Sequence, residues 1–369
     1  MKHSRNKRWV FRNIDDELQW DIIKSSSSPC RLPADFRDIN PIKFTNHASD
    51  SVSVGESLKF LYADSLVVVK GEQIINEQYF NGMTESTAHI LFSASKPFAG
   101  ALIAILIRDH TLASENDLIT IYLPQLKDTA FKDVSIRHLL DMQSGIDIRD
   151  LDDPRELERA SGYAVPVGDE SISTVLLKFH SKKYPAGVKT DYLSINTDLL
   201  SLLAARVTGK PAAVLLQEVL FESMGIEFTA YLLKDQKGVN ALSGGLALTV
   251  RDLVKLGVLL VNDGVLHGNQ VLPKGYIKTI IDTAEPEKWI GSWIAQLTPQ
   301  AKAYRSCLYI CSDNFDNDSF FAVGNYGNAL YINTREQAVI ALQSSYPSAV
   351  DIPRFTTKMN MLKAIANGI

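Results

Sequence analysis

Cysteine is scarce in this chain: Cys30, Cys307 and Cys311 are the three among 369 residues. An odd number so widely spaced builds no disulfide framework. Cys307 and Cys311 stand four apart with no further thiol or histidine near them in sequence, a poor start for a metal site. All three read as buried spectators. A block of charge of one sign is also missing, since 38 Lys and Arg are mixed with 42 Asp and Glu to a net charge of −4. That pattern argues against nucleic acid and against an anionic membrane as partners. No apolar run reaches the roughly 20 residues that a bilayer span needs, and the longest, residues 97–107, reads as a buried helix. The opening "MKHSRNKRWVFRNIDDELQW" begins basic, as a signal peptide does, but turns acidic before any apolar stretch or small-residue cleavage site. The sequence therefore predicts a chain that stays in the cytoplasm and works without cofactor or metal.

What is present is an ordinary globular composition, 46% hydrophobic and 22% charged, enough for a sizeable core. Residues 1–50 have weak periodicity and a loop-like "SSSSPCRLP", and they read as an irregular N-terminal wrap. "SLVVVKGEQIINEQYF" reads as an antiparallel hairpin turning at Lys70, Gly71 and Glu72. Helical patterns follow. "SIRHLLDMQSG" has Ser135 as cap and Gly145 as stop, and "NTDLLSLLAARVTG" and "KPAAVLLQEVLFESMG" each end in glycine after an apolar stripe. "LTVRDLVKLGVLLVNDG" repeats the design, with Thr249 as cap and Gly264 as stop. "NALYINTREQAVIALQS" then reads as a second hairpin, and residues 353–367 as a terminal helix. Strands at both ends with helices between predict an α+β fold. Residues 51–105 and 240–369 would form an α/β sheet subdomain and residues 106–239 a mostly helical one, with the active site at their interface.

The stretch that carries chemistry is "HILFSASKPFAGALIAILIRD". Pro97 cannot sit inside a helix, because it lacks an N–H and clashes with the preceding turn, so the helix begins within a turn of it. Ser93 then lies at the helix start, and Lys96, three residues on, shares its face. Apolar neighbours and the positive end of the helix both disfavour the charged form of that lysine. A neutral lysine is a competent base toward a serine, and the free N–H groups of the same helix end suit a developing oxyanion. Taken alone the pattern is weak, for Ser4 and Lys7 repeat it in a polar tail. The bland alternative makes Ser93 or Ser95 a plain helix cap and lets Lys96 snorkel to solvent.

Five ordered stretches extend it. "FSASKPFAGALIAILI", "VSIRHLLDMQSGI", "DYLSINTDLLSLLAARVTGKP", "GGLALTVRDLVKLGVLLVNDGVLHGNQVLP" and "FFAVGNYGNALYINTREQAVIALQS" together span about residues 60–345. They resemble the serine β-lactamase and penicillin-binding-protein superfamily, and within it the class C-like esterases and 6-aminohexanoate-oligomer hydrolases. The resemblance implies a β-lactamase/transpeptidase-like fold, an antiparallel sheet flanked by helices. It makes Ser93 the nucleophile, Lys96 its base and Tyr192, in "YLS", the phenol that relays a proton to the leaving group. Read without the family, Tyr192 precedes a helix capped by Ser194 or Asn196, and a buried structural tyrosine is the alternative. Ser194 replaces the asparagine of a Tyr-x-Asn motif. Ala322, Val323 and Gly324 stand where a Lys-Thr-Gly or His-x-Gly triplet would supply a cation. Gly324 and Gly327 would let the backbone approach a ligand, and the N–H of Asn325 would join that of Ser93 as an oxyanion donor.

"CSDNFDND" contains a literal Ser-Asp-Asn, but in an acidic, turn-rich setting that reads as a solvated loop. Glu170, Asp150, Asp152, Asp153 and Tyr163 fall where the resemblance places a substrate-specificity loop, with no role assigned to them. The expected activity is hydrolysis of a small-molecule ester or amide through an acyl-enzyme. The alternatives are a β-lactamase or D-Ala-D-Ala peptidase, which predicts an export signal and a cationic third motif, and a silent binding protein on the same fold. The oligomeric state stays open.

Overall fold

The computed structural model describes residues 7–12, 18–161 and 171–369. Its largest element is a seven-stranded antiparallel sheet, ordered Ala301–Arg305, Leu308–Cys311, Ser319–Val323, Ala329–Asn333, Ala338–Ser344, Ala63–Lys70 and Gln73–Tyr79. The central strands are apolar at almost every position because both faces are covered. Val67, Val69, Val339 and Ala341 point into one core with the helix Val250–Val261. Leu66, Val68, Ile340 and Leu342 point into the other, against Met359, Leu362 and Ile365 of the terminal helix Ile352–Gly368. This is the period of two expected for strands, with each face buried by a helix. Fully burying each such valine, leucine or isoleucine is worth about 1.5–3 kcal/mol.

Both hairpins read in the sequence are formed, Ala63–Lys70 with Gln73–Tyr79 and Ala329–Asn333 with Ala338–Ser344. Local chemistry sets the helix ends. Ser135 accepts from the amide of His138, Thr249 accepts from that of Asp252, and Gly209 and Gly225 close their helices in left-handed conformation at φ 72° and 60°. Two expected details differ. The helix after Ser135 ends at Leu140, so Gly145 serves a later turn. The helix Ser194–Thr208 starts at Ser194 itself with Leu193 in the cap position, so neither Ser194 nor Asn196 caps it.

The described part of the N-terminal stretch is more regular than its weak pattern suggests. Trp20–Ile23 pairs with Ala230–Leu233 at the edge of a four-stranded sheet that continues through Leu246–Leu248 to His89–Ile90. Lys43–Thr45 pairs with Ser51–Ser53, and Ser53 and Glu56 form a reciprocal capping box for Val54–Phe60. The third core packs the helices of the middle segment, with Leu199, Leu200 and Leu203 of Ser194–Thr208 against Leu102, Ile103 and Leu106 of Lys96–Arg108. The latter helix therefore touches both the sheet core, through Phe98, Ala99, Ala101 and Ile105, and the helical one. Among the described residues no single helix is long and apolar enough to cross a membrane; the bent pair Ser194–Thr208 and Ala212–Met224 passes by length and composition together, and much of both helices is core.

Candidate active site

The strand His89–Ile90 runs into a tight 3-10 turn, Phe92–Ser95, and then into the helix Lys96–Arg108, with Pro97 in its first turn. Phe92, just before Ser93, is held at φ +49°, a conformation that bulky side chains adopt only when their surroundings enforce it. The enforcement is visible. Its ring packs on Phe11 and Tyr326 at centroid distances of 5.1 Å each, while Ser95 Oγ donates to the carbonyls of Phe92 and Leu242 at 2.7 and 2.8 Å. The turn leaves Ser93 half-buried on a cavity wall and Lys96 fully buried.

Lys96 Nζ donates to Ser93 Oγ at 2.9 Å, to Ser194 Oγ at 3.0 Å and to the carbonyl of Ser243 at 2.7 Å. Snorkelling to solvent is excluded by this geometry. Among the described residues no carboxylate pairs with Lys96, so its amine meets hydroxyls and a carbonyl alone. The carbonyl of Ser243 only accepts, and Ser194 Oγ can take a second N–H. With those two partners fixed, the third position on the nitrogen faces the Ser93 hydroxyl, the placement that proton transfer between the two groups requires. Two residues that the sequence did not single out support it. Asp198, buried in the helix Ser194–Thr208, accepts from the amide of Ser243 at 3.0 Å and thereby fixes the carbonyl that holds Lys96. The only sequence signal for that turn is the glycine pair beside it, where a Cβ on Gly245 would come within 2.6 Å of Leu233.

Tyr192 is 6% exposed, and its ring lies 4.9 Å from Lys96 Nζ. It packs against Tyr304 and Tyr309 at 5.5 and 5.9 Å. Burial, and next to it the neighbouring Tyr192, pushes the Tyr304 and Tyr309 phenols well above their ordinary range, so both stay protonated. The loop carrying Tyr192 is pinned by the Asp191 amide on the Met142 carbonyl at 2.7 Å and by Trp293 Nε1 on the Asp191 carboxylate at 2.8 Å.

The third side of the site is the end of the strand Ser319–Val323. Gly324 sits where a Cβ would meet the Leu91 carbonyl at 2.1 Å, so only glycine lets this backbone pass the nucleophile turn. Gly327, at φ +104°, clears the Tyr346 ring, which a Cβ would approach to 2.4 Å. The Gly324 amide is spent on the Asn328 carbonyl at 3.0 Å. Ser93, Tyr192, Gly324, Asn325 and Gly327 all line one cleft of about 730 Å³, counting the part open to solvent. Ser194 is buried behind it, holding Lys96 instead of lining the cleft. Trp293, Ile294, Leu297, Val350 and Phe355 give the cleft apolar walls.

Other candidates lie elsewhere. Asp150 accepts from the amides of His180 and Ser181 at 2.7 Å each, and Asp153 pairs with Arg155, so both tie down their own loop; Asp152 is exposed. Tyr163 and Glu170 lie outside the described residues. Ser312, Asp313 and Asn314 start a four-residue helical turn, Asp313–Asp316, away from the cleft. That turn is less solvated than its composition suggests, because the buried Asp316 accepts from Tyr331 and Asn333 at 2.7 and 3.0 Å. Cys307 and Cys311 are buried, whereas Cys30 is partly exposed.

A model of the Beta-lactamase family matches residues 61–352. The 6-aminohexanoate-dimer hydrolase of Paenarthrobacter ureafaciens is 25% identical over 347 residues, covering 93% of this chain and 86% of that protein. Among solved structures, a Bacillus anthracis protein assigned as a 6-aminohexanoate-dimer hydrolase superposes with a TM-score of 0.85 at 25% identity, over 98% of this chain and 94% of that one. A family VIII carboxylesterase shares the fold with a TM-score of 0.66 at 13% identity, over 85% and 95% of the two chains.

Proposed function

The chain belongs to the Beta-lactamase family, and from that premise we propose that it is a serine hydrolase that opens small carboxylic esters or amides through an acyl-enzyme. The observation that carries this reading is the contact of Lys96 Nζ with Ser93 Oγ at 2.9 Å on the wall of an apolar cleft. Lys96 takes the Ser93 proton as the hydroxyl attacks the substrate carbonyl. The oxyanion rests on the backbone N–H groups of Ser93 and Asn325, in the space that Gly324 keeps open. Tyr192, beside the Lys96 ammonium, then hands a proton to the leaving alcohol or amine. Water entering the cleft ends the cycle, activated by the same pair.

Esters are the first substrates to test, because an alkoxide leaves with less help than an amide nitrogen. The hydrolase named for the 6-aminohexanoate dimer keeps amides in view. The strand Ser319–Val323 ends in Ala322 and Val323, so a penicillin meets no cation on that strand. Rates with p-nitrophenyl butyrate in the native chain and in Ser93→Ala, Lys96→Ala and Tyr192→Phe test the proposal. Losses of about 10²-fold or more in kcat for each variant are expected. Unchanged turnover in Ser93→Ala would overturn it.

A further inference from the structure

The terminal helix Ile352–Gly368 brings a second lysine to the wall of the same cleft. Lys358 is 1% exposed. Its ammonium donates to the carbonyls of Gly327 and Asn328 at 3.2 and 3.4 Å, both long, and lies 5.3 and 5.8 Å from the rings of Phe355 and Tyr346. Among the described residues no carboxylate pairs with it. The acid on this wall, Asp351, is already engaged: it pairs with the Arg354 guanidinium and accepts from the Arg354 amide at 3.0 Å. A charge held so deep without a counter-ion is costly, and proteins keep one mainly where it has work to do.

A separate observation points to the same place. Tyr346 also lines the cleft, is 2% exposed, and its hydroxyl has no hydrogen-bond partner among the described residues. Burial pushes that phenol far above its ordinary range, so it keeps its proton and remains a donor. Among the described residues the neighbouring Ser344 hydroxyl and the side-chain carbonyl of Asn328 are unpartnered as well. Buried polar groups left over in a cluster mark a position that another molecule completes. Here two of them belong to residues that line the cleft, Tyr346 with its unpartnered O–H and Lys358 with an N–H to spare.

We infer that Lys358 and Tyr346 form a carboxylate subsite, so that the preferred substrate is an aliphatic ester or amide that carries a carboxylate on its chain. One carboxylate oxygen takes the spare N–H of Lys358 and the other the O–H of Tyr346, which satisfies both at once. The apolar walls between this end and Ser93 suit a methylene chain. The terminal helix thus supplies the cation that the strand Ser319–Val323 lacks. Burial alone lowers the amine to about 7, and a bound anion favours its charged form again. The inference rests on Ser93 marking the reacting end of this cleft.

Calorimetric binding of hexanoate and of hexanamide, which have one shape and differ in charge, tests it without turnover. The native chain is expected to bind hexanoate about tenfold more tightly, and that preference should drop to near parity in Lys358→Met and several-fold in Tyr346→Phe. Equal affinities in the native chain, or a preference that survives both substitutions, would overturn the subsite. Rates with p-nitrophenyl butyrate, run beside it, separate the two claims. Turnover without a hexanoate preference removes the subsite alone, whereas a Lys358-dependent preference without turnover upholds the subsite and removes the hydrolase.

Discussion

Replacing Lys358 with methionine should make the protein more stable at pH 6. The lysine is wholly buried, no carboxylate pairs with it among the described residues, and burial lowers its amine to about 7. In the unfolded chain the same group titrates near 10.4. Between those two values the unfolded state holds the proton and the native state does not, so native stability rises with pH across that window. Below pH 7 the full penalty is present, roughly 4–5 kcal/mol, and by pH 10 less than about 1 kcal/mol of it remains. Methionine keeps the stem packing and removes the charge. The two long hydrogen bonds to Gly327 and Asn328 go with it, a loss of roughly 1–2 kcal/mol. The net gain at pH 6 is therefore about 2–4 kcal/mol, and it fades toward zero or reverses by pH 10. Urea unfolding at pH 6, 8 and 10, followed by the fluorescence of the four tryptophans, measures the difference between the two proteins and cancels the other titrating groups. A methionine variant no more stable than the native chain at pH 6, or a difference that does not shrink as pH rises, would refute the reasoning.

Gly324→Ala puts a methyl group 2.1 Å from the Leu91 carbonyl, so one backbone must yield; a loss of about 1–3 kcal/mol in stability and at least about 10-fold in kcat is expected from melting curves and ester kinetics. Arg305 is 1% exposed and donates to Asp141 at 3.1 Å. Burial lifts that carboxyl to about 6 even so. Arg305→Met should cost about 3–5 kcal/mol at pH 7, and less at pH 5, where Asp141 binds a proton that the unfolded chain does not; urea titrations at the two pH values check it. Burial pushes the Cys307 thiol to about 12 and Cys311 well above its usual range. Ellman's reagent should therefore find one rapidly reacting thiol, Cys30, in the native protein and three in urea.

The nucleophile helix was legible because its signals are local. Pro97 fixes where the helix starts, and Ser93 and Lys96 follow from a spacing of three. The strands Ala63–Lys70 and Ala338–Ser344 were legible because each is long enough to display its apolar run and its turn. The four-stranded sheet was not, since its members are two to four residues long and carry no readable period. Ser243 and Asp198 were missed because their roles lie in a backbone carbonyl and in a contact between residues 45 apart in sequence. Lys358 was missed for a different reason. In sequence it looks like any surface lysine of an amphipathic helix, and its burial appears only once that helix lies against the sheet beside Gly327.

The central claim is that Ser93 is an activated nucleophile, and covalent labelling addresses it most directly. The purified chain would be treated with a fluorophosphonate, weighed intact and mapped by peptide sequencing, with Lys96→Ala and Tyr192→Phe treated in parallel. A single adduct on Ser93, formed at least about 10²-fold more slowly in Lys96→Ala, is the expected result. No adduct, or one on another serine, would contradict the account and leave the cleft as a binding site on a hydrolase fold.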